Sequence, residues 1–195
     1  MAWLDDFRQD VQRHVGFDHK PALYEALTKQ GLWALLQYRV AAAVYRGALP
    51  TPARKGLLLG LAVVKKGVEM TTGISIPHTA RIGPGLYIPH FGTIVIHGEA
   101  VIGRNCTVSH GVTIGAAGRG DRFGVPVIGD NVYVAPNAVV VGRITVGDSA
   151  IIGANSTVNR DVAARTTVLG VPATVLNHRG RAEDAGDVVL ATSPK

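Results

Sequence analysis

Apolar branched residues recur at every sixth position within three blocks between Ile76 and Val158, and no other feature of the chain restricts its fold as much. The series runs Ile76, Ile82, Ile88, then Ile96, Ile102, Val108, Ile114, then Ile128, Val134, Val140, Val146, Ile152 and Val158. An amphipathic helix demands spacings of three and four, and a half-buried strand demands two, so neither produces a period of six. Glycine follows the apolar residue at Gly83, Gly103, Gly115, Gly129, Gly147 and Gly153. A small residue comes four positions after it at Ala80, Ala100, Cys106, Ala138, Ala150 and Ser156. Such hexads read as short strands on the flat faces of a narrow prism, with the branched residue inside and glycine allowing the turn between faces. Three hexads close one coil of about 18 residues, and coils stack roughly 4.8 Å apart. The pattern predicts a mainly β chain, a left-handed parallel β-helix of hexapeptide repeats behind an N-terminal α-helical segment.

The repeat is edited twice. From Ile88 to Ile96 the step is eight, so two extra residues bulge near "HFGT". From Ile114 to Ile128 the step is fourteen, which extrudes a loop over residues 115–127 carrying Arg119, Asp121 and Arg122 among glycines. Loops held on a rigid scaffold are favoured places for ligand contacts.

Residues 1–72 read as helical, 73–176 as the β-helix and 177–195 as a tail. Leu23, Leu27, Leu32, Leu35 and Leu36 recur at helical spacing within "PALYEALTKQGLWALLQYRVAAAVYRG". Pro50 and Pro52 break the chain, and a further helix is expected from about Ala53 to about Glu69. The polar tail "RAEDAGDVVLATSPK" is expected to be flexible or lightly docked. The apolar run over residues 56–64 falls short of the ~20 residues that span a bilayer. Arg54, Lys55, Lys65 and Lys66 flank it and leave peripheral membrane contact open. Twenty Lys and Arg against 14 Asp and Glu give a net charge of +6, a solvated basic surface or an attraction to phosphorylated ligands. No aromatic-rich basic stripe or nucleic-acid motif accompanies it, so no nucleic-acid partner is expected. A lone cysteine and an N-terminus without a basic, apolar leader fit a cytoplasmic protein.

Register sorts the histidines. His90 lies two residues after Ile88 and His110 two after Val108, so the imidazoles should stack at one prism position, one coil apart. His97 follows Ile96 directly, at the corner position elsewhere taken by glycine, and should point away. An imidazole titrates near neutral pH and suits removal of a hydroxyl proton as the oxygen attacks an acyl donor. Cys106 falls at a small inward position and reads as core rather than nucleophile. A zinc site would need three ligands. His90, His97 and His110 lack the pair four residues apart common among zinc enzymes built on similar scaffolds, so no metal is expected.

The segments "GISIPHTARIGPGLYIPHFG", "SHGVTIG", the Gly/Arg loop, "IGDNVYVAPNAVVVGRITVGDSAIIGANSTV" and "VLGVPATVL" resemble the serine acetyltransferase-like group of hexapeptide-repeat acyltransferases. The resemblance implies a homotrimer with active sites between subunits and acetyl-CoA as acyl donor in a groove between neighbours. His90 matches the general base of the group. Arg122 resembles an arginine that holds an acceptor carboxylate, and His110, Arg119 and Phe123 complete the expected acceptor site. Coenzyme contacts are expected at Ala135, Pro136, Gly153, Ala154 and Gly170. The sequence departs from the group's pattern at Pro89 and Ser75, where aspartates are expected, and at Phe123, where a histidine is expected. Missing carboxylates remove counter-charges for an imidazolium and a substrate ammonium. The expected activity is therefore acetyl-CoA-dependent O-acetyl transfer to a saccharide or other specialised hydroxyl compound, as in the polysaccharide-associated branch. A genuine serine O-acetyltransferase is the alternative, and a non-catalytic trimeric binding scaffold a further one. The helical part is shorter than in typical members, where it joins two trimers, so a trimer is expected rather than a hexamer.

Overall fold

All thirteen inward hexad residues are buried, none more than 6% exposed, in a computed structural model that describes residues 2–180. Strands of two to five residues stack on three faces. Ile74–Ser75, Ile94–Ile96, Thr113–Gly115, Val139–Val141 and Thr157–Val158 form one, and Arg81–Ile82, Val101–Ile102, Val127–Ile128 and Thr145–Val146 a second. The third holds Thr107–Val108, Tyr133–Val134, Ile151–Ile152 and Thr167–Gly170, with Ala173–Asn177 closing it antiparallel. All other strand pairs are parallel. The chain is thus a left-handed parallel β-helix behind helices. Ala80, Ala100, Cys106, Ala138, Ala150 and Ser156 are fully buried, because the interior narrows beside each branched residue. The Cys106 thiol points to the Gly129 carbonyl at 3.1 Å, a packed core group.

The glycines that follow the apolar residues do not make the turns. Gly83, Gly103, Gly129, Gly147 and Gly153 are absent from the left-handed region; it is entered two residues later, at Gly85, Asn105, Asn131, Ser149 and Asn155. Asparagine tolerates that conformation better than most side-chain-bearing residues. The preceding glycines serve the stacking of coils. A Cβ on Gly103 would stand 2.5 Å from the Gly129 carbonyl group of the next coil.

Four helices precede the coils: α1 (Ala2–Asp18), α2 (Ala22–Thr28), α3 (Gln30–Arg46) and α4 (Thr51–Thr72). The single helix expected around Leu23 to Leu36 is broken at Lys29, whose backbone is extended at φ −93°, ψ 109°. Leu32 and Leu35 are buried on α3, whereas Leu23 and Leu27 on α2 are 72% and 65% exposed. The break turns α2 against α1, out of the path that a continuous helix would follow. Pro50 and Pro52 start α4, and Gly73 stops it at φ 71°. No described helix is long and apolar enough to cross a membrane.

A buried ion pair fixes the helices to the first coil. Arg39 on α3 donates to both carboxylate oxygens of Asp10 on α1, at 2.9 and 3.0 Å, and to the carbonyls of Ile82 and Gly83, each at 2.7 Å. The Leu86 amide donates to the same carboxylate at 2.9 Å. Burial raises the Asp10 pKa while Arg39 opposes the rise. The basic residues that flank the apolar run, Arg54, Lys55, Lys65 and Lys66, lie on α4, whose apolar Leu59, Val63 and Met70 are more than 70% exposed. The tail from residue 181 onward lies outside the described residues.

Candidate active site

The turn bearing His90 is held from behind by α1 and α3. The Nε2 of the buried His14 lies 3.3 Å from the Ile88 carbonyl and its Nδ1 2.8 Å from the Asp10 carbonyl. Gly31 packs so tightly against Ile88 that a Cβ would come within 2.6 Å of the same carbonyl oxygen. The two extra residues of the bulge then swing His90 and Phe91 outward, both exposed on this chain. Gly92, at φ 129°, lets the chain return beside His110, whose Cβ lies 3.3 Å from where a Gly92 Cβ would be.

The expected stacking of the histidines is present. The rings of His90 and His110 are edge to face, with centroids 5.9 Å apart. The pairings Tyr87 with Thr107, Val108 with Val134, Val134 with Ile152 and Ile152 with Val168 extend that register upward. They set His90, His110, Pro136, Ala154 and Gly170 in one column along a corner of the prism. Four coil steps of ~4.8 Å make it about 19 Å long. Amides of Asn137 and Asn155 donate to the carbonyls of His110 and Pro136, at 3.0 and 2.9 Å, and hold the corner rigid. Ala135 and Gly153 stand in the neighbouring column on the same face. Above His110 the column carries little side chain, leaving its backbone open to a long, narrow ligand. Three of the expected coenzyme-contact amides are engaged within the chain: Ala135 to Ile152, Gly153 to Val168 and Gly170 to the Ser156 hydroxyl.

Beside His90 opens a cleft of about 460 Å³, its wall completed by Lys20, Glu25, Lys29, Pro89 and Phe91. Sequence reasoning missed the α2 contribution. The i, i+4 spacing of Glu25 and Lys29 was a legible signal for an ion pair, but nothing local placed that pair opposite the bulge. Glu25 is fully buried, with Lys29 Nζ 3.9 Å from its Oε2. The Nδ1 of His110 is buried without a hydrogen-bond partner among the described residues.

A second carboxylate stands beside Ser75. Glu69, at the end of α4, accepts a hydrogen bond from the Ser75 hydroxyl at 2.6 Å, one from Lys66 at 2.7 Å and a short one from Lys65. Burial alone would raise its pKa, but these donors outweigh burial and lower it to about 2. Burial, with Lys65 and Arg46, lowers the pKa of the neighbouring His78.

Arg119, Arg122 and Phe123 occupy the extruded loop, which makes a single 3₁₀ turn at Gly120–Arg122 and is pinned by paired hydrogen bonds between Ala117 and Gly124. All three are exposed, and none of them lines the His90 cleft on this chain. His97 faces its own corner, where its Nδ1 accepts the Glu99 amide at 3.2 Å. Among the described residues no three histidine, cysteine or carboxylate side chains converge as metal ligands would.

The family model described as bacterial transferase hexapeptide (six repeats) matches residues 126–160. The chain is 36% identical over 178 residues to a serine acetyltransferase of Bacillus licheniformis, covering 89% of this chain and 78% of that one. It is 36% identical over 168 residues to that of Synechococcus elongatus, covering 84% of this chain but only 66% of the relative. Among solved structures, serine acetyltransferase of Neisseria gonorrhoeae in complex with serine superposes with a TM-score of 0.77 at 30% identity, over 90% of this chain and 69% of that one. The Brucella abortus serine acetyltransferase in complex with coenzyme A gives a TM-score of 0.79 at 28% identity, over 92% and 70%.

Proposed function

Because the chain belongs to the serine acetyltransferase family of hexapeptide-repeat proteins, we propose that it is an acetyl-CoA-dependent O-acetyltransferase whose acceptor is L-serine and whose general base is His90. The observation that carries this reading is the corner column, which joins a histidine beside a charged cleft to a long strip of nearly bare backbone. The cleft suits a small acceptor, and the strip suits the extended arm of the coenzyme.

The saccharide acceptor expected from Ser75, Pro89 and Phe123 gives way to the alternative. Relatives along most of the chain are serine acetyltransferases, one of them solved with serine bound. Carboxylates also stand near Ser75 and Pro89 on other elements: Glu69 beside Ser75, where two lysines engage it, and Glu25 in the cleft wall.

In the proposed reaction a ring nitrogen of His90 takes the proton from the serine hydroxyl as its oxygen bonds to the thioester carbonyl carbon. Backbone donors stabilise the tetrahedral oxyanion. Collapse breaks the carbon–sulfur bond, and the imidazolium returns the proton to the departing thiolate, giving O-acetylserine and free coenzyme A. The edge-on His110 ring restricts the rotation of His90. Ala135, Pro136, Gly153, Ala154 and Gly170 line the path assigned to the donor.

The reading includes a cytoplasmic homotrimer. Arg119, Arg122 and Phe123 then complete the cleft of a neighbouring chain, which gives these exposed loop residues an acceptor to hold. Outward-facing Val95 and Val127, 44% and 45% exposed on the coil faces, supply apolar surface for such contacts.

Thiol release from acetyl-CoA in the presence of L-serine tests the base. His90→Gln should lower kcat by roughly 10²–10⁴-fold while calorimetry finds coenzyme A binding intact. Wild-type turnover in the variant would refute the assignment.

A further inference from the structure

Gln37 lies on the buried side of α3 and is only 8% exposed, yet its side-chain amide makes no hydrogen bond among the described residues. An amide withdrawn from bulk water without partners is costly, because both its donors and its acceptor go unmatched. This one opens on a cavity of about 230 Å³ between α3, α4 and the turn that follows the first strand. Ala41, Leu58, Leu61 and Pro77 give the cavity apolar walls, and Lys65 and His78 bring two further polar groups to it. None of these residues lines the His90 cleft. Pockets for drug-sized molecules run to about 300–1,000 Å³, so this cavity suits a smaller molecule.

The surrounding charges select the sign of that molecule. His78 makes no hydrogen bond among the described residues, and its ring meets that of Tyr45 edge on, with centroids 5.0 Å apart. Burial, Lys65 and Arg46 lower its pKa, so both charges that act on it are positive. A field that disfavours an imidazolium favours an anion. Lys65 is held by Glu69 and lies 3.3 Å from the Ser75 hydroxyl. Glu69 keeps Lys66 and the Ser75 hydroxyl if Lys65 turns to another anion, so the exchange strands no carboxylate.

We propose that this cavity is a second ligand site, for a short aliphatic carboxylate: its chain lies against Leu58 and Leu61, and its carboxylate faces Lys65 and His78 and accepts a hydrogen bond from the Gln37 amide. A cation is repelled there by Lys65 and Arg46, and a neutral alcohol leaves their field unanswered. The site is independent of the acceptor that His90 serves.

Calorimetric titration of the full chain with 3-methylbutanoate, 3-methylbutan-1-ol and 3-methylbutylamine, which share a shape and differ in charge, tests this. The carboxylate should bind with a Kd below about 1 mM and about tenfold more tightly than the alcohol, and the amine should not bind. Gln37→Leu keeps the bulk but removes the amide, and should weaken the carboxylate about tenfold, the worth of one buried hydrogen bond. Leu61→Phe fills the cavity and should abolish binding while the circular dichroism stays that of wild type; if that variant fails to fold, Gln37→Leu decides alone. Failure of the wild type to bind the carboxylate, or equal binding of carboxylate and alcohol, would overturn the proposal. Binding that Gln37→Leu leaves intact would place the carboxylate elsewhere, as in the His90 cleft with Lys20 in its wall, and would overturn it too.

Discussion

At the scale of single residues, hexad positions that look alike in sequence do different work. The inward branched residues fill the prism, and the asparagines three positions later turn the chain in the left-handed region. The glycines between them permit one coil to rest on the next. Gly103→Ala should therefore destabilise the fold by about 1–3 kcal/mol through overpacking, read as a lowered midpoint in urea. Gly60, on the exposed side of α4 with nothing within 4 Å of its Cβ position, is the control: alanine there should stabilise by about 1 kcal/mol through helix propensity. Equal effects at both sites would show that coil stacking does not constrain Gly103. The pairing of His90 with His110 was readable from register alone, because period six fixes which residues share a column. Glu25 was not readable in the same way, since its place beside His90 depends on a helix break that local propensity does not announce.

At the scale of elements, the helices are fixed to the first coil by charge. Asp10, Arg39 and the Leu86 amide bind α1 and α3 to the coil that leads into His90. Glu69 binds the end of α4 to Ser75 on the first strand. Its folded pKa is depressed to about 2 from an ordinary value of 4.5, so its contribution to stability is fully present above the ordinary value. It is lost as pH falls through the folded one. The stability difference between wild type and Glu69→Gln, measured by urea unfolding, should be constant above about pH 5 and shrink steadily towards pH 2. A difference that does not change with pH would remove Glu69 from this role. The inward register of the β-helix was legible, because each hexad obeys one local rule, although the turns fall two residues after the glycines expected to make them. The helices were legible only as helical, because Leu23, Leu27 and Leu36 continue the apolar spacing of Leu32 and Leu35 yet stay exposed on this chain. A single period cannot distinguish a face that packs on the same chain from one that does not.

At the scale of the whole molecule, the proposed site has two parts that do not share a cleft on one chain. The His90 cleft opens between the helices and the bulge, while Arg119, Arg122 and Phe123 stand exposed on the extruded loop. The proposed homotrimer would bring one part of each chain to the other part of the next. Light scattering should then give three times the chain mass of 20.5 kDa, and an active monomer would contradict the shared site. The departures at Ser75, Pro89 and Phe123 pointed the sequence reading towards a sugar, because a sequence shows that a carboxylate is missing from its position but not that helices supply others nearby. The acceptor is therefore the point on which the account most depends. Mass spectrometry of the products formed from acetyl-CoA and L-serine, with His90→Ala as the blank, tests it most directly. The account predicts one O-acetylserine for each thiol released by the wild type and none from the variant. Thiol release without O-acetylserine, or acetylation of added sugars alone, would contradict it.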